Sequence, residues 1–372
     1  MIIKTNDIVG YNSRRNFVAL PFKKAKVEEC FDLFKIPNAI YFRMLNKSNK
    51  FFLFSHSTVV KSSALHHFFN ALSFSRQPWI VSFETALPRW GRCPGWLEQE
   101  GVKLLANDHC KKIIAISQSA YNIQLKYLDK FPRFKNQIEN KMVVLHPAQH
   151  LLIDSYDEKE LDELITFSLI GGDFFRKGGK EVLVVFDKLL EEGYPIKLQI
   201  VSKLDYGDYA SQTTKNDFLE AVTLIEKNSS SIIWYKTLPN TAVLDMLKKS
   251  HIALLPTYAD TYGYSVLEAQ AAGCPVITTD IRALPEINNN ECGWVINVPK
   301  DELGNGIIDN REERELLSKT IIDNLHEIIL TILKNKEIIR MKGEASINKI
   351  KRNHNPILTA SLLESIYQEA LN

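Results

Sequence analysis

Asp260-Thr-Tyr-Gly-Tyr-Ser-Val-Leu-Glu268, continuing as Ala-Gln-Ala-Ala-Gly-Cys-Pro-Val-Ile277, is the stretch that decides the fold of this chain. The apolar run Ile252-Ala-Leu-Leu-Pro256 before it reads as a buried strand, and Pro275-Val-Ile-Thr-Thr279 after it reads as another. Between them lies a short helix of small residues, which Gly273 ends and Pro275 cannot extend. Strand, loop, helix and strand in this order build open α/β sheets, whose ligands sit beyond the carboxyl ends of the strands. Asp260 and Glu268 fall in that position. A carboxylate can accept hydrogen bonds from two adjacent sugar hydroxyls, so both acids are candidate hydroxyl readers. Glu268 has a second reading, because Ser265-Val-Leu-Glu268 fits a capping box with Ser265 as N-cap. Tyr262 and Tyr264 flank Gly263 and read either as aromatics closing over a ligand or as packing residues.

Working outward, strand-like and helical runs alternate through the second half. Thr166–Ile170, Ile196–Val201, Ser231–Tyr235 and Gly293–Ile296 read as strands. Helices are expected over about Gly179 to Glu192, over Lys215 to Glu226, from an N-cap at Asn240 through Leu247, and from about Glu312 onward. Such alternation predicts a parallel, doubly wound sheet. The first half repeats the theme, with strands expected at Phe17–Leu20, Ala39–Phe42, Phe51–Phe54, Trp79–Phe83, Ile113–Ile116 and Met142–Leu145. The polar, acidic segment from His146 to about Lys159 reads as a linker. Two domains are therefore expected, over residues 1–150 and 160–350. A final helix over 355–372, capped by Asn355-Pro356 and carrying a stripe of Leu358, Leu362, Ile366 and Ala370, is expected to pack back onto the first.

The 372 residues carry a formal charge of only +2, which conceals a division. Up to residue 150 there are 22 Lys and Arg against 10 Asp and Glu, and the remainder has 24 against 34. A basic half suits phosphates, whether on an anionic lipid surface, a lipid diphosphate or a nucleic acid; no nucleic-acid motif accompanies the charge. No apolar run is long enough to span a bilayer, and the opening residues lack the apolar core of a signal peptide. Five scattered cysteines (30, 93, 110, 274 and 292) without a CxxC pair read as reduced thiols of a cytoplasmic protein.

Gly171-Gly-Asp-Phe-Phe-Arg-Lys-Gly-Gly179 joins the first strand of the second half to its helix. Glycines and two cations at a helix N-terminus suit a diphosphate, through backbone donors, the helix dipole and the charges of Arg176 and Lys177. Their alternative is a glycine-rich turn with solvated side chains. In the first half Glu84 follows the strand Trp79–Phe83 and reads as a sugar or acceptor contact, or as a surface acid. His56 also follows an apolar run, while His109 and His146 have no stronger claim. No DxD at a strand end and no His/Cys cluster suggests a metal.

Together, GGDFFRKGG, LLPTYADTYGYSVLEAQAAGCPVITTD and the later Leu284-Pro-Glu-Ile287 resemble family 4 of the retaining glycosyltransferases, specifically over about residues 165 to 297. Ile113–Ser119 and Val143–Pro147 carry a weaker likeness. The resemblance implies the GT-B fold, two Rossmann-like doubly wound domains facing a cleft. It also implies transfer of a sugar from a nucleotide sugar to a glycan or lipid-linked acceptor, with retention at the anomeric carbon and without a metal or other cofactor. The family's E-x7-E motif falls on Asp260 and Glu268, which would contact the sugar hydroxyls and the nucleotide ribose. Arg176 and Lys177 would hold the diphosphate beside Gly171 and Gly172. Backbone amides from Tyr262 through Gly263, Tyr264 and Ser265 to Val266 would approach the sugar and β-phosphate. The sequence departs from the family in having aspartate for the first glutamate, Glu84 where many members have histidine, and Gly10 alone where many have a glycine-rich loop. The pathway expected is bacterial surface polysaccharide or lipopolysaccharide assembly, in a cytoplasmic enzyme with peripheral contact to the anionic inner membrane. A GT-B epimerase or hydrolase of nucleotide sugars, and a non-catalytic nucleotide-sugar-binding protein, are the alternatives.

Overall fold

The computed structural model describes residues 1–44, 51–161 and 163–371. The chain divides into two compact units, one of residues 1–148 with 354–372 and one of residues 149–353. The expected linker is therefore shorter than its polar composition suggests. From Gln149 the chain already belongs to the second unit, where Leu152 N donates to Ala271 O at 2.9 Å and Tyr156 is buried.

Unit 1 is built on six strands: β1 (Ile2–Thr5), β2 (Lys26–Glu29), β3 (Leu65–Phe69), β4 (Trp79–Phe83), β5 (Cys110–Ala115) and β6 (Met142–Val144). They lie in the order β2-β1-β3-β4-β5-β6, every pairing parallel. The central strand β4 is buried along its whole length, as a strand covered by helices on both faces must be. Helices α1 (Lys35–Met44), α2 (Gly95–Ala106) and α3 (Gln118–Leu128) belong to this unit. The helix Pro356–Leu371 packs here too, through Ala360, Leu363, Tyr367 and Ala370, in one core with Ile3, Leu65 and Ile80. Its buried face is thus offset from the expected stripe, since Leu358 and Leu362 are 54% and 57% exposed.

Three expected strands of this half are something else. Phe17 and Val18 end a π-helical turn over Arg14–Val18, Ala39–Phe42 lies inside α1, and Phe51 forms only an isolated bridge to Gly91. Apolar runs of four residues do not distinguish strand from helix, and tertiary context decides between them. The strands β1, β2 and β3 were not expected. In Leu65-His-His-Phe-Phe69 two buried histidines interrupt the apolar signal, and β2 is a charged edge strand.

Unit 2 follows the sequence expectation closely. Its strands are β7 (Ile165–Asp173), β8 (Ile196–Lys203), β9 (Ile232–Tyr235), β10 (Ile252–Leu255), β11 (Val276–Thr279) and β12 (Gly293–Ile296). Their order is β9-β8-β7-β10-β11-β12, all parallel, with Ala253 opposite Ser168 on one side and Val276 on the other. The chain winds outward in one direction from β7 and then returns to build the other half from β10. The seam between β7 and β10 is a topological switch point, where loops leave two neighbouring strands in opposite directions and open a crevice. Around the sheet lie α4 (Gly179–Glu191), α5 (Lys215–Lys227), α6 (Asn240–Lys249), α7 (Tyr264–Ala271), α8 (Arg311–Lys334) and α9 (Glu337–Asn353). Asn240 is the first residue of α6 rather than its cap, which is Pro239.

Candidate donor-binding site at the switch point of unit 2

The candidates of unit 2 gather at the end of β7, where Gly171 and Gly172 still belong to the strand, in the loops after β7 and β10, and in the first turns of α7, and the two loops interlock. Gly178, with φ +77°, approaches Pro256 so closely that a Cβ there would lie 2.1 Å from its carbonyl oxygen. The Arg176 carbonyl accepts from Tyr258 N and from Thr257 Oγ1, both at 2.9 Å. Thr279 Oγ1 fixes the same loop from β11 by donating to Thr257 O at 2.8 Å. A backbone held by this many bonds presents its side chains without reorganisation.

Lys177 Nζ lies 3.0 Å from Asp260 Oδ2. Gly171 makes this pairing possible, because a Cβ at that position would stand 2.2 Å from Lys177 Cε. Burial alone would raise the Asp260 carboxyl. The Lys177 ammonium and its hydrogen bond, the Arg176 charge and the Tyr262 N–H hold it below the ordinary carboxylate range, so it is ionised. Arg176 pairs with Asp173, Nε to Oδ2 at 3.1 Å, and also donates to Ala259 O. Gly172 is exposed, with open space where a side chain would be.

Helix α7 begins at Tyr264, and its N-cap is Gly263, with φ +91° and no capping side chain. The expected capping box is therefore absent. Ser265 lies inside the first turn, and Glu268 begins the second, buried at 9% exposure. Helix α4 likewise starts from a left-handed glycine, Gly178, without a capping side chain. Two helix N-termini thus flank the switch point with backbone N–H groups not taken by a side-chain cap, an arrangement suited to an anion. Tyr262 is 1% exposed, its ring centroid lies 5.1 Å from that of Tyr264, and its N–H donates to Asp260 Oδ1 at 3.2 Å, so the residue packs and steadies the loop rather than lining an open surface. Val266 is fully buried, whereas Tyr264 and Ser265 are half-buried.

One residue in this region escaped the sequence reading. Glu181, in the first turn of α4, is 3% exposed, and its Oε1 accepts from Tyr258 Oη and Ser318 Oγ, each at 2.7 Å. Its Oε2 has no partner among the described residues. Burial raises this carboxyl despite the two hydroxyl donors. Glu181 therefore ties α4 and α8 to the loop that carries Asp260. The only signal in the sequence was an acid beside the apolar Val182, which reads as ordinary helix N-terminal charge. Hollows of about 430 and 630 Å³ are both lined by Tyr258, and neither is lined by Lys177 or Asp260.

Glu84 belongs to unit 1, just beyond β4. Its carboxylate accepts from Asn70 Nδ2 at 3.1 Å and pairs with Arg89. His56 is half-buried, and burial with the nearby Arg89 charge lowers it to about 4. His109 is exposed, and His146 packs edge-on against His354 with ring centroids 5.8 Å apart. Among the described residues no three His, Cys, Asp or Glu side chains form a group able to hold a metal ion, and no helix is long and apolar enough to cross a membrane.

A doubly wound unit with cations and helix N-termini at its switch point defines a class of nucleotide-binding proteins, and the comparison with known families is more specific. The chain belongs to the glycosyl transferases group 1 family, whose model matches residues 143–336, more than half of its length. It is similar to the capsular polysaccharide biosynthesis glycosyltransferase CapM of Staphylococcus aureus, 24% identical over 139 residues, which are 37% of this chain and 34% of CapM. It is also similar to an uncharacterized 41.2 kDa protein in the cps region of Klebsiella pneumoniae, 26% identical over 113 residues, 30% of each chain. These matches span about a third of the length of either relative. Among solved structures, Anabaena HepE in complex with UDP superposes with a TM-score of 0.61 at 9% identity, over 99% of both chains. A glycosyltransferase from Rickettsia africae gives 0.60 at 14%, over 100% of this chain and 98% of that one. At these identities the likeness is one of fold, and that fold is GT-B.

Proposed function

We propose that this protein is a glycosyltransferase that moves a sugar from a nucleotide sugar to a glycan or lipid-linked acceptor, with retention, in capsular or other cell-surface polysaccharide synthesis. The observation that carries the reading is the pairing of Lys177 with Asp260 across the switch point, with Arg176 beside it and two helix N-termini facing the same crevice. The diphosphate would replace Asp260 as part of the partnership of Lys177. The leaving group gains negative charge as the anomeric bond breaks, and Arg176, Lys177 and the helix dipoles stabilise that charge without a metal; each such contact is worth about 2–4 kcal/mol in the transition state. Asp260, ionised and beside the cations, would accept hydrogen bonds from the sugar hydroxyls, and Glu268 from the ribose.

Support for the donor class comes from fold neighbours. HepE has been solved with UDP and with UDP-glucose, and the pneumococcal GtfA with UDP and GlcNAc. The surface-polysaccharide assignment is supported by the names of the S. aureus and K. pneumoniae relatives. The expected cytoplasmic setting and peripheral membrane contact belong to the same reading. A panel of UDP-, GDP- and other sugar nucleotides tested by thermal shift identifies the donor, because a ligand bound to the native state raises apparent stability by mass action. Product analysis with and without acceptor then separates transfer from epimerisation or hydrolysis. A donor converted equally well without any acceptor overturns the transferase reading.

A further inference from the structure

Helix α1 is built the wrong way round for a helix in water. Ile36, Ile40 and Met44, one turn apart along one face, are 58%, 52% and 78% exposed. A surface helix normally turns that stripe toward the core. The loop entering α1 adds Phe31 and Leu33, 65% and 50% exposed. These side chains are held outward by a bonded scaffold. Leu33 N donates to Val59 O at 3.0 Å, and buried Asp32 accepts from Phe34 N at 3.0 Å and Val59 N at 2.9 Å. The opposite side is already occupied, since Phe34 meets Phe54 and Phe74 edge-on and Tyr41 meets Phe54.

The stripe has a cationic margin. Lys35 and Arg43 are exposed on α1 itself. Lys61 and Arg76, also exposed, lie next to Val60 and Ser75; Val60 bridges to Asp32, and Ser75 Oγ donates to Val60 O at 2.8 Å. Up to Arg76 the chain has 12 Lys and Arg against four Asp and Glu. Of those acids, Asp32 is buried and Glu29 is paired with Lys35. Lys35 is thus neutralised, and Arg43, Lys61 and Arg76 carry the charge of the margin; an apolar stripe rimmed by such cations matches the chemistry of an anionic bilayer, with acyl chains beneath a negative headgroup layer.

We propose that the outward face of α1, with Phe31 and Leu33, docks on the surface of an anionic lipid bilayer. The inference rests on the lipid-linked acceptor reading for its purpose. Phe74 joins the patch to the candidate acceptor residues of the same unit. It stacks on Trp90 with centroids 6.1 Å apart, and Trp90 adjoins Arg89, the partner of Glu84. A substrate carried in the bilayer would thus enter beside Glu84.

The test uses the full chain, without donor, in sedimentation with vesicles of phosphatidylcholine alone or mixed with phosphatidylglycerol. Binding is expected only to the mixed vesicles, and salt is expected to weaken it. The triple variant I36S/I40S/M44S is expected to bind at least about tenfold more weakly, with an unchanged Tm. L358S/L362S, which removes exposed leucines from the helix Pro356–Leu371, is the control and retains binding. No binding to either vesicle, or binding that the triple variant leaves intact, overturns the proposal. So does a wild-type dimer in solution that the triple variant abolishes, since a second copy would then cover the face. Transfer to a water-soluble acceptor without vesicle binding defeats this proposal alone. Vesicle binding by a chain with no transferase activity defeats only the reading of function.

Discussion

Lys177 and Asp260 meet 3.0 Å apart with side chains only 11% and 14% exposed, one from the loop after β7 and the other from the loop after β10. The pair joins the two halves of the doubly wound sheet at the point where ligands of this architecture bind. It also means that neither residue can be altered without consequences for the other, because removing one partner leaves an uncompensated charge in a mostly dry site.

Lys177→Ala is accordingly expected to reduce transfer at least about tenfold and to cost about 1–3 kcal/mol of stability, between the limits for exposed and buried pairs. Adding Asp260→Asn should recover most of the stability and none of the activity. Denaturant melts and initial rates on the two single variants and the double variant decide it. Recovery of activity in the double variant would mean that Lys177 serves only to neutralise Asp260.

Glu268→Ala is expected to reduce transfer at least about tenfold with the fold intact, since the helix cap it was expected to form is supplied by Gly263 instead. Near-normal rates with both Lys177→Ala and Glu268→Ala would remove the site assignment altogether.

Gly263→Ala tests the turn itself. At φ +91° an alanine is strained, and its Cβ would stand 2.6 Å from Leu284 Cδ2. The variant should lose about 1–3 kcal/mol and bind donor more weakly, because the N-terminus of α7 moves. Titration calorimetry with the donor nucleotide measures the second effect; unchanged affinity would separate this turn from the site.

Glu181 gives a pH signature. Its carboxyl is raised in the folded state, so it keeps a proton that the unfolded chain releases, and stability falls as pH rises from the ordinary value of 4.5 through the raised one. Glu181→Gln should remove that slope, so the wild-type Tm falls relative to the variant's as pH increases over this window. Glu181→Ala should cost about 1–3 kcal/mol by leaving the Tyr258 and Ser318 hydroxyls unpaired, and should raise KM for the donor as the Asp260 loop loosens. Parallel pH curves for wild type and Glu181→Gln would show that the carboxyl is not perturbed.

Unit 1 should be the more acid-sensitive part. His67 is buried with Nδ1 2.7 Å from Tyr367 Oη and Nε2 2.9 Å from Ser82 Oγ. Burial lowers it to about 3, and lowers His66 to about 4; burial and Arg89 bring His56 to about 4. These rings are neutral in the fold and protonate when unfolded, so their stability is present above 6.5 and is lost as pH falls toward 4. Hydrogen exchange at several pH values should show the β3 and β4 peptides opening first, and flat protection over that range would contradict it. Tyr367→Phe should cost about 1 kcal/mol and loosen the helix Pro356–Leu371.

Legibility in the sequence differed between the halves for a physical reason. The strands of unit 2 are short apolar runs, apart from β8, which alternates through Lys197 and Gln199; glycine and proline punctuate them, and their loops carry charges that stand out. In unit 1 the strand β3 contains two buried histidines, and helix α1 exposes its isoleucines, so both invert the usual pattern. Glu181 was not legible because its role depends on Tyr258 and Ser318, which are far from it along the chain.

Sequence by itself determined the doubly wound architecture of unit 2 and singled out Arg176, Lys177, Asp260 and Glu268, which the fold places around its switch point. It could do so because strand burial, turn glycines and loop charge are local properties. Only the tertiary structure decided that Lys177 pairs with Asp260, that Gly263 and not Ser265 caps α7, and that the stripe of α1 faces outward. Each of those outcomes depends on which segments the sheet order brings together, and no local pattern encodes that.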